Sequence, residues 1–275
     1  MRPIALLLAC GGVLQTAPAQ ARPRADSLIA ANARDISAAL VTFRMPPRTA
    51  LGLHEFKSER DSLEWAGARE LADRATEYRV IVSLLDRTLW VLLANDTLLA
   101  TPIAVASGLT LEYAGRTWTF RTPRGRHTVR RKVVDPQWAP PDWAYAEAAL
   151  EHDLSLKALP SETGVTLKDG STLVVRDSVV GILSDGDTRF QSLPLEEHVV
   201  FDSTLFIPPL GTRNRRLSGE LGRFALDLGD GYLLHGTNQA LSIGTAVTHG
   251  CIRIRDEELA WLHEHVPVGT PVYIY

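Results

Sequence analysis

Cysteine is nearly absent from this chain, with two residues, Cys10 and Cys251, in 275. That rules out a disulfide framework and a four-cysteine zinc site. A dominant charge sign is also missing. The 29 Lys and Arg are interleaved with 32 Asp and Glu, for a net charge of −3. No basic stripe is available to follow a phosphate backbone, so nucleic acid is not an expected partner. No apolar run reaches the ~20 residues that a helix needs to cross a bilayer, so no integral membrane segment is expected in the mature chain. Repeats and low-complexity tracts are lacking as well. What is present, 45% hydrophobic and 22% charged residues, suffices for one large globular domain or two modest ones.

Residues 1–21 read as a secretory signal. Arg2 is the positive start, Ile4 to Leu14 are mostly apolar, and Ala19-Gln20-Ala21 offers small residues for cleavage. An alternative makes Cys10, after Leu7-Leu8-Ala9, a lipid-bearing residue, although the apolar region before it is short. Cleavage after Ala21 leaves 28 basic and 32 acidic residues and one cysteine, Cys251. In an oxidising exported setting, a lone cysteine is either a buried inert residue or a thiol retained for its chemistry.

Residues 22–79 have a polar, helical texture: Ala25 to Phe43 is alanine-rich, and Glu59 to Tyr78 carries Leu63, Ala66 and Leu71 among many charges. They are expected to form an accessory helical arm. From Val80 the texture turns to alternation and β-branched residues, with strands expected over Val80–Leu85, Thr88–Leu93 and Leu98–Ser107. Tyr145 to Leu159 returns to helical composition. Val165–Leu183 is expected to hold two strands around Lys168-Asp169-Gly170-Ser171, and Val199–Ile207 another. Phe224–Leu228 and Tyr232–His235 flank Gly229-Asp230-Gly231 as a hairpin, Asp256–His265 is a short helix, and Pro271–Tyr275 a final strand.

The chemistry concentrates in His235-Gly236-Thr237-Asn238 and Thr248-His249-Gly250-Cys251-Ile252-Arg253. A thiol becomes a good nucleophile when an imidazole accepts its proton, so cysteine with histidine points to acyl transfer. Gly236 and Gly250 permit close backbone approach, and main-chain N–H groups near Gly250-Cys251 are candidates for an oxyanion site. Two plainer readings compete. Most free cysteines are small buried hydrophobes, and His235, His249 and Cys251 are also three residues of metal-ligating type. Spacing places no fourth ligand or catalytic carboxylate beside them, so no metal is expected. His54, His127, His152, His198, His263 and His265 carry no motif. Trp138, Trp143 and Tyr145 either form a lid or simply fix a loop, while Tyr113, Arg116 and Trp118 lie in a longer strand connection.

The pattern resembles the L,D-transpeptidases of the bacterial cell envelope, whose catalytic domain is called YkuD. Their signature is His-Gly, a short variable stretch, then Ser/Thr-His-Gly-Cys, a hydrophobic residue and Arg or Asn. Here His235-Gly236 is followed, after the stretch ending at Val247, by Thr248-His249-Gly250-Cys251-Ile252-Arg253. Thr122-Pro123-Arg124-Gly125, the Trp138–Trp143 loop, Leu221-Gly222-Arg223 and Gly269-Thr270-Pro271-Val272 also look like family features. The resemblance implies a mainly β (α+β) fold: a YkuD-like β-sandwich catalytic domain over 80–275, with short peripheral helices, an inserted segment at about 145–195, and the helical arm in front.

It further implies that Cys251 is the nucleophile, that His235 is its proton acceptor and donor with the Gly236 carbonyl orienting the ring, and that His249 stabilises the intermediate. The two histidine roles are open to exchange. Arg253, with Gly236, Thr248 and Gly250, would line the substrate site. The implied donor is a peptidoglycan stem tetrapeptide that loses its terminal D-alanine. The acceptor would be the amine of a second stem (a 3→3 cross-link), an envelope-protein lysine, a D-amino acid or water. No cofactor is needed, and the expected location is the periplasm or cell envelope. The nearest rival is the same thioester chemistry ending in hydrolysis, as in an L,D-carboxypeptidase or a hydrolase that cleaves stem-peptide or protein–peptidoglycan links. A rival of another class is a non-catalytic peptidoglycan-binding domain.

Overall fold

The computed structural model describes residue 56 and residues 58–184 and 189–275. The expected signal sequence, the Ala25–Phe43 helix and Cys10 lie outside these residues. Among the described residues, no helix is long and apolar enough to cross a membrane.

The architecture is strand-rich, as the sequence texture predicts, and is built around two sheets packed face to face. The first has five strands in the order β3 (Asp96–Pro102), β2 (Thr88–Leu93), β1 (Arg79–Ser83), β20 (Pro271–Ile274) and β7 (Gly125–Thr128). All pairs are antiparallel except β1 with β20, which run parallel, Val80 opposite Val272. The second sheet orders β19 (Ile252–Arg253), β17 (Tyr232–His235), β16 (Phe224–Gly229) and β8 (Arg131–Val134). Period-2 alternation sends Val80, Val82, Leu89, Val91, Val272 and Ile274 of the first sheet against Leu226, Leu228, Leu234 and Ile252 of the second.

A helix, Asp256–His265, closes this core with Leu259 and Leu262 on one side of its axis. Its first turn is Asp256-Glu257-Glu258 and its last carries His263 and His265, so its charges complement its dipole. Two short pairings sit at one end of the sandwich: β4 (Val105–Ala106) with β18 (Ala246–Thr248), and the hairpin of β5 (Thr110–Tyr113) and β6 (Arg116–Thr119).

The outer face of the five-stranded sheet is also covered. Helix α1 (Glu59–Arg74) is capped by Ser58, whose hydroxyl accepts from the Asp61 N–H at 3.2 Å. It lays Ala68 and Ala72 on Ile81, Trp90, Leu92, Tyr273 and Tyr275, with Trp65 packed alongside. Arg124, in the turn before β7, pairs with Asp61 of α1. The apolar positions that stand out in the sequence, Leu63 and Leu71, are 65% and 51% exposed. Small residues form the contact face because bulky aromatics already project from the sheet.

Between β8 and β16 the chain builds a layered body. Helix α2 (Asp142–Glu151) packs on a three-stranded sheet of β14 (Val199–Phe201), β15 (Thr204–Ile207) and β9 (Ser155–Ala158), burying Tyr145, Ala148 and Ala149 against Val200, Leu205 and Ile207. The other face of that sheet, Val199 and Phe206, meets a meander of β10 (Val165–Thr166), β11 (Thr172–Arg176), β12 (Val179–Leu183) and β13 (Phe190–Ser192) through Leu159, Leu167, Leu173 and Val180. Sequence texture placed helix through Leu159 and a single strand over Val199–Ile207. The helix instead stops at Glu151, and residues 155–158 pair in parallel with β15, Leu156 opposite Leu205. Asp202 and Ser203, both at positive φ, turn Val199–Ile207 into a hairpin.

The neck of this body is held by one guanidinium. Arg215, 6% exposed, donates to the Pro140 and Pro208 carbonyls at 3.0 and 2.9 Å and to Asp142 Oδ1 at 2.8 Å. Arg116 takes Asp142 Oδ2 at 3.1 Å. Burial alone would raise the Asp142 carboxyl, but the two guanidiniums outweigh it and hold the group below its ordinary value. The helix α1 contact makes a direct prediction. Ala72→Leu should overpack against the sheet aromatics and destabilise by about 1–3 kcal/mol, whereas Leu71→Ala should stay within about 0.5 kcal/mol, both read from urea unfolding.

Candidate active site

Helix α3 (Asp256–His265) follows directly on the segment that carries the candidate residues, and their placement comes from strand register. Strand β17 runs parallel to β19 with Leu234 opposite Ile252 and His235 opposite Arg253. Leu234, Ile252 and Ile254 are buried in the core. By the two-residue alternation of a strand, His235, Arg253 and Cys251, which precedes β19, lie on the opposite face. Main-chain bonds pin this arrangement: the Ile254 N–H donates to the His235 carbonyl at 2.9 Å, and Arg253 and Ala104 exchange bonds of 3.0 and 2.9 Å.

His235 is 5% exposed, and its Nδ1 lies 2.7 Å from the Gly236 carbonyl oxygen. A carbonyl only accepts, so Nδ1 carries the hydrogen and the neutral ring keeps its lone pair on Nε2. Burial pushes this imidazole down to about 4, the Gly236 bond pulls the other way, and the Arg253 charge adds to the lowering. Cys251 is a free, partly exposed cysteine whose thiol donates to the Gly231 carbonyl at 3.6 Å. Burial pushes the thiol up, outweighing a backbone hydrogen bond at Leu233 and the Arg253 charge. At neutral pH the resting site therefore holds a neutral thiol and a neutral imidazole.

The loop before Cys251 is bonded to itself and its neighbours. The Thr248 hydroxyl donates to the Cys251 carbonyl at 2.6 Å and accepts the Gly250 N–H at 3.3 Å. The Thr122 hydroxyl donates to the Gly250 carbonyl at 2.8 Å and accepts the Ala106 N–H at 3.2 Å. Gly250 has φ +152, and a Cβ there would stand 3.1 Å from the Tyr232 ring and 3.4 Å from the Arg121 carbonyl. Thr248 and Gly250, read from sequence as substrate contacts, are both buried in this bonding. Arg253, read the same way, donates to Gln239 Oε1 at 2.7 Å.

His249 is directed elsewhere. Its ring stacks on Trp143 at 4.0 Å and 15°, meets the edge of Phe120 at 4.4 Å, and brings Nε2 to 3.1 Å from Glu147 Oε2. Trp143 and Glu147 lie one turn apart on α2, so the layered body between β8 and β16 touches the motif through this histidine. Trp143 stood out in the sequence as part of an aromatic loop. Glu147, 102 positions from its partner, carried no local signal, and neither did Phe120. Among the described residues, no group of three His, Cys, Asp or Glu side chains is arranged to hold a metal ion.

The Probable L,D-transpeptidase YbiS of Escherichia coli (strain K12) is 50% identical over 52 residues, which cover 19% of this chain and 17% of that protein. The Probable L,D-transpeptidase ErfK/SrfK of Salmonella typhimurium is 46% identical over 54 residues, 20% and 18% of the two chains. These matches span less than a fifth of either relative's length. Among solved structures, L,D-transpeptidase 3 from Mycobacterium tuberculosis is similar at 14% identity over 72% of this chain and 60% of that one, with a TM-score of 0.37. The family described as YkuD, L,D-transpeptidase catalytic domain, matches residues 77–274, well over half of the sequence, and the chain belongs to that family.

Proposed function

We propose that this protein is a cysteine-dependent peptidoglycan L,D-transpeptidase. The observation that carries the reading is the fixed tautomer of His235: Nδ1–H is committed to the Gly236 carbonyl, and the lone pair is on Nε2, on the strand paired with the one that follows Cys251. His249 is the poorer candidate for the base, because its Nε2 is committed to Glu147.

In the proposed cycle the Cys251 sulfur attacks the amide carbonyl between the L-centre of the diamino acid and the terminal D-alanine, while its proton passes to His235 Nε2. The C–N bond breaks, D-alanine leaves with that proton, and a thioester remains. An acceptor amine then attacks the thioester carbon and gives a proton to Nε2. The C–S bond breaks, and the thiolate regains its proton from the imidazolium. One amide is exchanged for another, so no energy source is required. The acceptor would be a second stem peptide, a D-amino acid or an envelope-protein lysine. The signal-like residues 1–21 support export to the compartment where this substrate lies.

Mature protein incubated with disaccharide-tetrapeptides should yield a cross-linked dimer or a D-amino acid exchange product, read by mass. Tripeptide alone would identify a hydrolase. Cys251→Ala should abolish turnover and the mass gained from a carbapenem; full turnover in that variant overturns the thiol mechanism. His235→Ala should lower kcat by roughly 10²–10⁴-fold, while His249→Asn should cost less than about ten-fold. The reverse order would exchange the two histidine roles. For pH, His235 accepts a proton only while neutral, so kcat/KM should hold through mildly acidic pH and fall on a limb near 4. A limb near the ordinary imidazole value of about 6.5 would sink the neutral-pair description.

A further inference from the structure

The peptide between Gly236 and Thr237 is bonded on both edges. Its carbonyl oxygen accepts His235 Nδ1–H at 2.7 Å, and its N–H donates to Asp256 Oδ1 at 3.1 Å. A peptide group is one planar, conjugated unit, so the carboxylate of Asp256 and the ring of His235 are joined through a single rigid linker. Two glycines make room for this. A Cβ on Gly236 would collide with Asp256 Oδ1, and a Cβ on Gly222, at φ +68, would lie 2.5 Å from the same oxygen and 2.6 Å from Gly236 Cα. An acidic residue in the first turn of α3 is favoured by the helix dipole. The dipole alone accounts for Asp256, Glu257 and Glu258 equally, and does not explain why one carboxylate is seated on the peptide next to the imidazole.

We propose that Asp256 is a positioning residue for His235, acting through the Gly236–Thr237 peptide. This rests on His235 being the proton carrier. A carboxylate that accepts the peptide N–H polarises the group and makes its carbonyl oxygen a stronger acceptor, because hydrogen bonds in a chain reinforce one another. The Nδ1–H tautomer is held, and positive charge on the ring is favoured when Nε2 takes the thiol proton. The usual role of a carboxylate beside a catalytic histidine is thus relayed across one peptide. The charges that reach His235 are Arg253, opposite it on β19, and Asp256, through the Gly236–Thr237 peptide from the first turn of α3. Its β16 partner is Ala225. Arg253 opposes a charged ring, and Asp256 offsets it.

The test compares Asp256→Ala, Asp256→Asn and, as a charge control, Glu257→Gln. Asp256→Ala should lower kcat roughly ten-fold with KM within about two-fold, and should move the acid limb of kcat/KM to lower pH. Asp256→Asn keeps an acceptor oxygen and should recover most of kcat but not the limb, and Glu257→Gln should match the parent. Carbapenem labelling counts competent sites: if activity falls only in proportion to labelled Cys251, the role is merely structural and the proposal is overturned. A second readout needs no turnover. The ¹⁵N shifts of the His235 ring at neutral pH should show a pure Nδ1–H tautomer in the parent and a mixture in Asp256→Ala. An unchanged spectrum overturns the relay even if the enzyme is active. A changed spectrum in a protein that never acylates upholds the relay and faults the enzymatic reading instead.

Discussion

The parallel pairing of β17 with β19 is the constraint on which the rest of the site depends. It sends Leu234, Ile252 and Ile254 into the sandwich and leaves His235, Cys251 and Arg253 on the other side. A slip of one residue would bury the thiol and expose the isoleucines, so the hydrophobic core sets the geometry of the candidate site. The hairpin of β16 and β17 delivers the histidine, and α3, starting three residues after Arg253, fastens the peptide behind it. Stability and chemistry are therefore set by the same few residues read from opposite faces.

Electrostatics sharpen this picture. Burial works against charge on both partners, raising the thiol and lowering the imidazole. A preformed thiolate–imidazolium pair would place two charges in a site that disfavours each of them. In the proposed cycle proton transfer accompanies attack, when substrate is present to share the developing charge. The Arg253 charge favours a thiolate at Cys251 and disfavours an imidazolium at His235.

Most of the segment that carries the candidate site was legible in the sequence because its signals are local. Gly229-Asp230-Gly231 marked the hairpin, three acids marked the start of α3, and one thiol following two histidines marked the candidate chemistry. Longer-range features were not. Nothing near Glu147 announces a histidine 102 residues away, and nothing near Arg215 announces the carbonyls of Pro140 and Pro208. The strand at 155–158 has helical neighbours and becomes a strand only because β15 offers it a partner. Helix α1 buries alanines and exposes leucines for a similar reason: the aromatics it meets lie on strands well away in sequence. Sequence periodicity shows which residues share a face, but shape complementarity decides which face is used.

Strand β20 lies between β1 and β7 in the five-stranded sheet, so Val80 finds its parallel neighbour at Val272. Contacts of such separation are slow to form, because a long loop must close before they reward it. During synthesis the growing chain has no centre for this sheet until residues 271–274 have been made. α1, which rests on Tyr273 and Tyr275, must wait as well. The sandwich thus assembles late and as a unit, so its two faces, core and candidate site, come into being in the same step.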